Sequence, residues 1–158
     1  MWVERYLQSE VVRLAAQRPV VLVTGARQVG KTSLLRHVFP DHTYASLDLP
    51  SDAESAERDP AEFFQRYAGA LIVDEIQHAP GLLRHLKILV DKNRSARGKF
   101  LLTGSTKFTL MRSAADSLAG RMGILELEPL ALGEIRTSHT DLPLERIILR
   151  GEARAKCL

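Results

Sequence analysis

Gly25-Ala26-Arg27-Gln28-Val29-Gly30-Lys31-Thr32 stands directly between two incompatible patterns. Before it runs Pro19-Val-Val-Leu-Val-Thr24, short, apolar and β-branched, which reads as a buried strand. After it, Ser33 to Phe39 continues as a helix that Pro40 stops. A buried strand that turns through glycines into a helix leaves few folds open. The spacing G-x-x-x-x-G-K-[ST] lets successive backbone N–H groups curl inward around phosphate oxygens, and the following helix adds its positive end. Gly25 to Thr32, with Ser33 as the next residue, is therefore the expected phosphate-binding segment. Lys31 is expected to reach the β- and γ-phosphates and Thr32 to ligate magnesium through its hydroxyl. The bland alternative is a glycine turn that happens to precede Lys-Thr.

The rest of the chain alternates in the same way. Val3, Leu7, Val11 and Leu14 predict an amphipathic first helix ending near Arg18-Pro19. Thr43 to Leu47 reads as a second strand, and Ser51-x-x-Glu54 offers paired caps for a helix. Asp59-Pro60-Ala-Glu62 opens another helix, with aspartate as cap and proline in the first turn. Ala70 to Val73, Lys99 to Thr103 and Met122 to Leu127 complete five strands, and Pro80 to Val90 is helical between them. This order predicts an α/β fold: a parallel sheet with helices on both faces and the ligand beyond the carboxyl ends of the strands.

Asp74 and Glu75 follow the third strand and stand at such an end. Aspartate there suits magnesium, and Glu75 is the candidate base that orients and deprotonates water. Two solvated acids in a turn are the alternative. A strand intervenes between the phosphate loop and the acids, and the glutamate directly follows the aspartate. Both features resemble the additional-strand division of P-loop proteins. No Asn-Lys-x-Asp follows a strand, so ATP is expected over GTP. Thr103 and Ser105, at the end of the fourth strand, each offer a hydroxyl to the γ-phosphate, although both are also ordinary turn formers. Arg121 reads either as a surface arginine in a turn or as one that reaches a nucleotide held by a neighbouring copy.

Together Gly25 to Thr32, Leu47-Asp48, Val73-Asp74-Glu75-Ile76-Gln77, Leu102-Thr-Gly-Ser105 and Ser117-Leu-Ala-Gly-Arg121 resemble the AAA-type ATPase domain of prokaryotic predicted ATPases that carry a C-terminal domain of unknown function. The resemblance runs from about Arg5 to Glu134. It implies a P-loop NTPase three-layer sandwich with strand order 5-1-4-3-2, Ser105 as sensor and Arg121 as finger arginine. Members of that family continue into a second domain. The expectation here is an ATPase domain over residues 1–135, with residues 1–18 as a preceding helix, a truncated or atypical tail over 136–158, and no lid.

The remaining features narrow the function less. With 158 residues and 45% hydrophobic content the chain is expected to form one domain. A net charge of +3 does not argue for nucleic acid. Arg84, Lys87, Lys92, Arg94, Arg97 and Lys99 form a basic stretch without interleaved aromatics, which reads as a solvated helix face more readily than a nucleic-acid contact. His78 and His85 lack companions at zinc spacing, so no transition metal is expected. A single cysteine, Cys157, and the absence of any long apolar run suggest a cytoplasmic protein with no membrane partner. The sequence thus points to magnesium-dependent ATP hydrolysis that drives a conformational change, in a possible homo-oligomer. A nucleotide-dependent switch that binds protein or DNA with little turnover is the competing expectation.

Overall fold

A computed structural model describes residues 2–93, 95–105 and 118–138. Arg94, Ser117, Cys157 and the tail from residue 139 onward lie outside the described residues, and with them the expectations placed there.

Five strands form one parallel sheet in the order β2-β3-β4-β1-β5. They are β1 (Val20–Thr24), β2 (Thr43–Ser46), β3 (Leu71–Asp74), β4 (Phe100–Thr103) and β5 (Met122–Glu126). Read from the other edge this is the expected 5-1-4-3-2. Every residue of β1, β3 and β4 is buried, as central parallel strands covered on both faces require. The edge strands β2 and β5 mix buried with exposed positions.

Alternation along the strands divides the core between two helical layers. Val20, Leu22, Leu71, Val73, Phe100 and Leu102 pack with Phe63 and Phe64 of α4 (Pro60–Arg66) and Leu82, Leu83, Leu86 and Val90 of α5 (Gly81–Lys92). α1 (Gln8–Gln17) lies against β1 and β5, and α2 (Lys31–Val38) lies against β3 and β4. The phenyl ring of Phe64 meets Phe100 edge-on at 5.6 Å, fixing α4 to the sheet.

Local signals decided most helix starts. Asp59 accepts a 2.9 Å hydrogen bond from the Glu62 N–H and caps α4 as expected. The cap expected at Ser51 does not form: α3 (Pro50–Arg58) begins two residues earlier, with Leu49 as N-cap and proline in the first turn. Proline's fixed φ suits that first turn, so Ser51 is already inside the helix. α1 begins at Gln8, leaving Val3 outside.

The described residues divide between two compact units, Leu7–Pro129 and a second to which residues 2–6 and 130–138 belong. Within the second, α6 (Leu132–Ser138) carries Glu134, whose Oε1 accepts from Arg5 Nε at 3.2 Å and from the Tyr6 N–H at 2.7 Å. Burial pushes the Glu134 carboxyl upward, but the N–H groups of Tyr6 and Ala131 and the Arg5 guanidinium outweigh it and hold the carboxyl below its usual range.

Leu102 is fully buried in the central strand β4. Leu102→Ala is expected to lose about 2–5 kcal/mol, the usual result when a core leucine leaves a cavity. Urea unfolding measures it, and a midpoint equal to that of the unmutated chain would contradict this account of the core.

Candidate functional site

The loop that joins β1 to α2 departs from ordinary backbone at three positions. Gly25, Gln28 and Gly30 have φ of 140°, 64° and 94°. Such angles turn the chain sharply, which glycine accepts freely and glutamine accepts with strain. Gly25 is needed for a second reason: a Cβ there would fall inside van der Waals distance of the Leu127 carbonyl oxygen. Val29 is buried and anchors the loop, while Ala26, Arg27 and Gln28 are exposed at its tip. Gly30 caps α2 without a side-chain hydrogen bond, so the first N–H groups of the helix are not claimed by a side chain. Ser33 lies exposed in the first turn of that helix.

Lys31 is buried, and its Nζ donates to the carbonyl oxygens of Ala26 at 2.8 Å and Gly25 at 3.2 Å. The ammonium is thus held under the arch of the loop.

Opposite the loop, β3 delivers Asp74 at the carboxyl end of the sheet, 5% exposed. Thr32 Oγ1 donates to Asp74 Oδ1 at 2.6 Å across 42 residues of sequence. Thr103 Oγ1 donates to the same oxygen, and the Tyr44 hydroxyl donates to Oδ2 at 2.9 Å. Burial, and then the bond to Asp74, raises the pKa of the Tyr44 phenol. The register explains the convergence. Ser46 stands beside Asp74, and Val73 stands beside Leu102, so β2, β3 and β4 end level.

Glu75 adopts the left-handed conformation, φ 56° and ψ 48°, ahead of a single 3-10 turn over Ile76–His78. For a residue with a Cβ that conformation is uncommon and strained, and two bonds maintain it here. Its N–H donates to Thr103 Oγ1 at 3.0 Å, and its Oε2 accepts from Gln77 Nε2. Gln77 Oε1 in turn accepts from the Ser105 N–H at 3.3 Å. Thr103 and Gln77 therefore fasten the acidic pair to the end of β4.

The structure brings Lys31, Thr32, Asp74, Glu75 and Ser105 to the same end of the sheet. It does not bring Arg121 there. Arg121 precedes β5 at the amino end, where its carbonyl accepts from the Val20 N–H. Five strand residues, roughly 16 Å, separate that end from the loop. Arg121 Nε donates to Asp91 Oδ1 at 2.7 Å beside a cavity of about 330 Å³ that Arg18 and Arg97 also line. Sequence reasoning missed Tyr44, and it met Gln77 only inside a motif. Tyr44 lies 30 residues from its partner, and although Gln77 is two residues from Glu75, its link to Ser105 spans 28 and depends on how β3 and β4 end. His85 stacks on Phe64 with ring centroids 5.6 Å apart, and His78 is exposed.

Thr32 and Asp74 offer hard oxygen donors side by side, the set that suits magnesium held jointly with phosphate oxygens. Among the described residues no group of three or more His, Cys, Asp or Glu side chains is placed to hold a metal ion.

Comparison with known proteins bears on the family and the fold. The profile of a family described as an AAA domain matches residues 17–136. An uncharacterized protein of Mycobacterium tuberculosis is 35% identical over 153 residues, covering 96% of this chain. The chain spans only 34% of the length of that relative. Among solved structures, the Walker-type ATPase of Pyrococcus abyssi superposes with a TM-score of 0.53 at 18% identity, over 90% of this chain and 60% of its own. The P-loop NTPase domain of the sigma-54 transport activator from E. coli superposes with a TM-score of 0.52 at 15% identity, over 78% of this chain and 93% of its own. At such identities the superpositions speak for the fold alone, that of a P-loop NTPase.

The closeness of β5's exit to the loop generates a prediction. Gly25→Ala is expected to lower stability by roughly 2–4 kcal/mol, combining backbone strain with the collision at Leu127. A urea midpoint within error of the unmutated chain would mean that the loop is not packed as described.

Proposed function

The chain belongs to the AAA domain family, a family of nucleotide-binding P-loop ATPases, and from that premise we propose that it binds ATP with magnesium, hydrolyses it to ADP and phosphate, and uses the reaction to change conformation. The observation that carries this reading is the 2.6 Å bond between Thr32 and Asp74 beside the buried Lys31. Two hard oxygen ligands and a cation meet where the loop's N–H groups would receive phosphates.

The loop backbone and Lys31 bind the phosphates. The ammonium, now bonded to two carbonyl oxygens, gains an anion as its partner. Thr32 and Asp74 would hold magnesium, which when bound supplies positive charge against the phosphate oxygens. Glu75 accepts the proton of the attacking water. Gln77 engages only Oε2, so Oε1 is the oxygen assigned to the water. Ser105, tied through Gln77 to the base, is assigned the sensing of the γ-phosphate.

Arg121 stands at the far end of the sheet, which favours a role toward the nucleotide of a neighbouring copy over one toward its own. That placement also favours slow turnover in an isolated chain, so a nucleotide-dependent switch toward a protein or DNA partner is the second reading. No helix among the described residues is long and apolar enough to cross a membrane, and a cytoplasmic location is part of the proposal.

Glu75→Gln is expected to keep ATP and magnesium bound while phosphate release stops, since an amide keeps the shape of the side chain but takes no proton. Asp74→Asn is expected instead to weaken magnesium-dependent binding. Isothermal titration with phosphate-release assays separates the two, and equal losses of nucleotide affinity would contradict the assigned roles. Lys31→Ala is expected to abolish ATP binding, and with it a ligand-induced stabilisation of about 2.7 kcal/mol at one hundred times the dissociation constant.

For Arg121 the check is complementation. A mixture of inactive Glu75→Gln and Arg121→Ala chains is expected to hydrolyse ATP faster than either alone, because one composite site then holds both intact side chains. Co-assembly without recovery would end the trans assignment, and full activity of Arg121→Ala would leave it a turn arginine.

A further inference from the structure

Asp74 is the residue on which the proposed metal site turns, and its two oxygens are held differently. Oδ1 receives hydroxyls from Thr32 and Thr103. Oδ2 receives the Tyr44 hydroxyl at 2.9 Å, its one donor among the described hydrogen bonds. The distinction matters because the torsion that turns a carboxylate about its own axis is broad and roughly two-fold. The two oxygens turn together about that axis, so a donor on Oδ2 from β2 opposes the same rotation as the donors on Oδ1 from α2 and β4, and narrows the range of the carboxylate plane.

Tyr44 is well placed to define it. It sits on β2 in register with Ile72, two residues before Ser46, which stands beside Asp74 itself. The Arg36 guanidinium lies 4.9 Å from the centroid of its ring, so α2, which carries Thr32, also clamps the tyrosine. One closed circuit runs from Thr32 through α2 to Arg36, across the Tyr44 ring to Asp74 and back to Thr32.

We propose that Tyr44 is a positioning residue for the metal-binding carboxylate, orienting Asp74 through Oδ2 so that the site binds the magnesium–nucleotide complex in preference to nucleotide alone. The inference rests on the reading of Thr32 and Asp74 as metal ligands given above. Side chains that orient a ligating carboxylate affect metal affinity by about 10–100-fold when removed. The phosphate loop does not touch Tyr44 through any hydrogen bond described, so nucleotide affinity without metal is not expected to follow.

The test uses the 158-residue chain with Tyr44→Phe, which keeps the ring and its packing and deletes only the hydroxyl. Two quantities are measured: the affinity for a fluorescent ATP analogue in EDTA, and the affinity for Mn2+, by electron paramagnetic resonance, in the presence of a non-hydrolysable ATP analogue. The expected result is a Mn2+ dissociation constant raised about 10–100-fold with the EDTA value within about twofold of the unmutated chain. A general loss of packing would instead move both.

Asp74→Asn separates this inference from the reading beneath it. If the unmutated chain binds Mn2+, Asp74→Asn loses it and Tyr44→Phe does not, the role of Tyr44 is overturned while the metal site stands. If the unmutated chain shows no metal dependence, both are overturned. Should Tyr44→Phe fail to fold, Arg36→Met decides, because it loosens the ring and leaves the phenol in place. A rise in the Mn2+ constant of roughly two- to fivefold, the scale of one cation–π contact, supports the inference, and no rise overturns it.

Discussion

A carboxylate placed at the end of a buried strand has to be compensated, because an ionised group taken out of water without partners is costly by several kcal/mol. Asp74 is 5% exposed and receives three hydroxyl groups, from Thr32, Tyr44 and Thr103. Those three residues come from α2, β2 and β4, so one side chain ties four elements together at the carboxyl end of the sheet. The chemistry assigned to the site depends on this knot. In the function proposed above, the hydroxyl and carboxylate share a cation and Lys31 exchanges its carbonyl partners for an anion.

The knot explains the strain next to it. Glu75 follows Asp74 and takes the left-handed conformation that a non-glycine residue rarely adopts. Thr103 donates to Asp74 while accepting from the Glu75 N–H, so one buried hydroxyl organises both acids. Gln77 then links the Glu75 carboxylate to the backbone at Ser105. Glu75 and the Ser105 backbone are thus joined by a single amide side chain, and moving one changes the hydrogen bond of the other.

The sheet also separates two sets of charges. Lys31 and the acids gather at the carboxyl ends of the strands. Arg18, Arg97 and Arg121 gather with Asp91 at the amino ends. All strands run parallel, so their two ends are chemically distinct surfaces of one layer. The face proposed to bind nucleotide and the arginine cluster therefore lie at opposite ends of the strands.

The parts of this arrangement written locally in the sequence were legible there. The run Gly25 to Thr32 demanded a strand before it and a helix after it, Asp59-Pro60 opened its helix as expected, and alternation of strands with helices implied the parallel sheet. Each of these follows from backbone preferences and period within about ten residues. Even locally a stronger signal displaced a weaker one, and Pro50 claimed the helix start expected at Ser51. Only the tertiary structure decided that Thr103 would serve both acids, that Gln77 would reach the base, and that Tyr44 would hold Asp74. The reason is physical: the bonds of Thr103 and Tyr44, and the bond by which Gln77 holds Ser105, join residues about 30 positions apart, and their formation depends on strand register and on where neighbouring strands end. Strand pairing sets both, whereas residue type and spacing set neither.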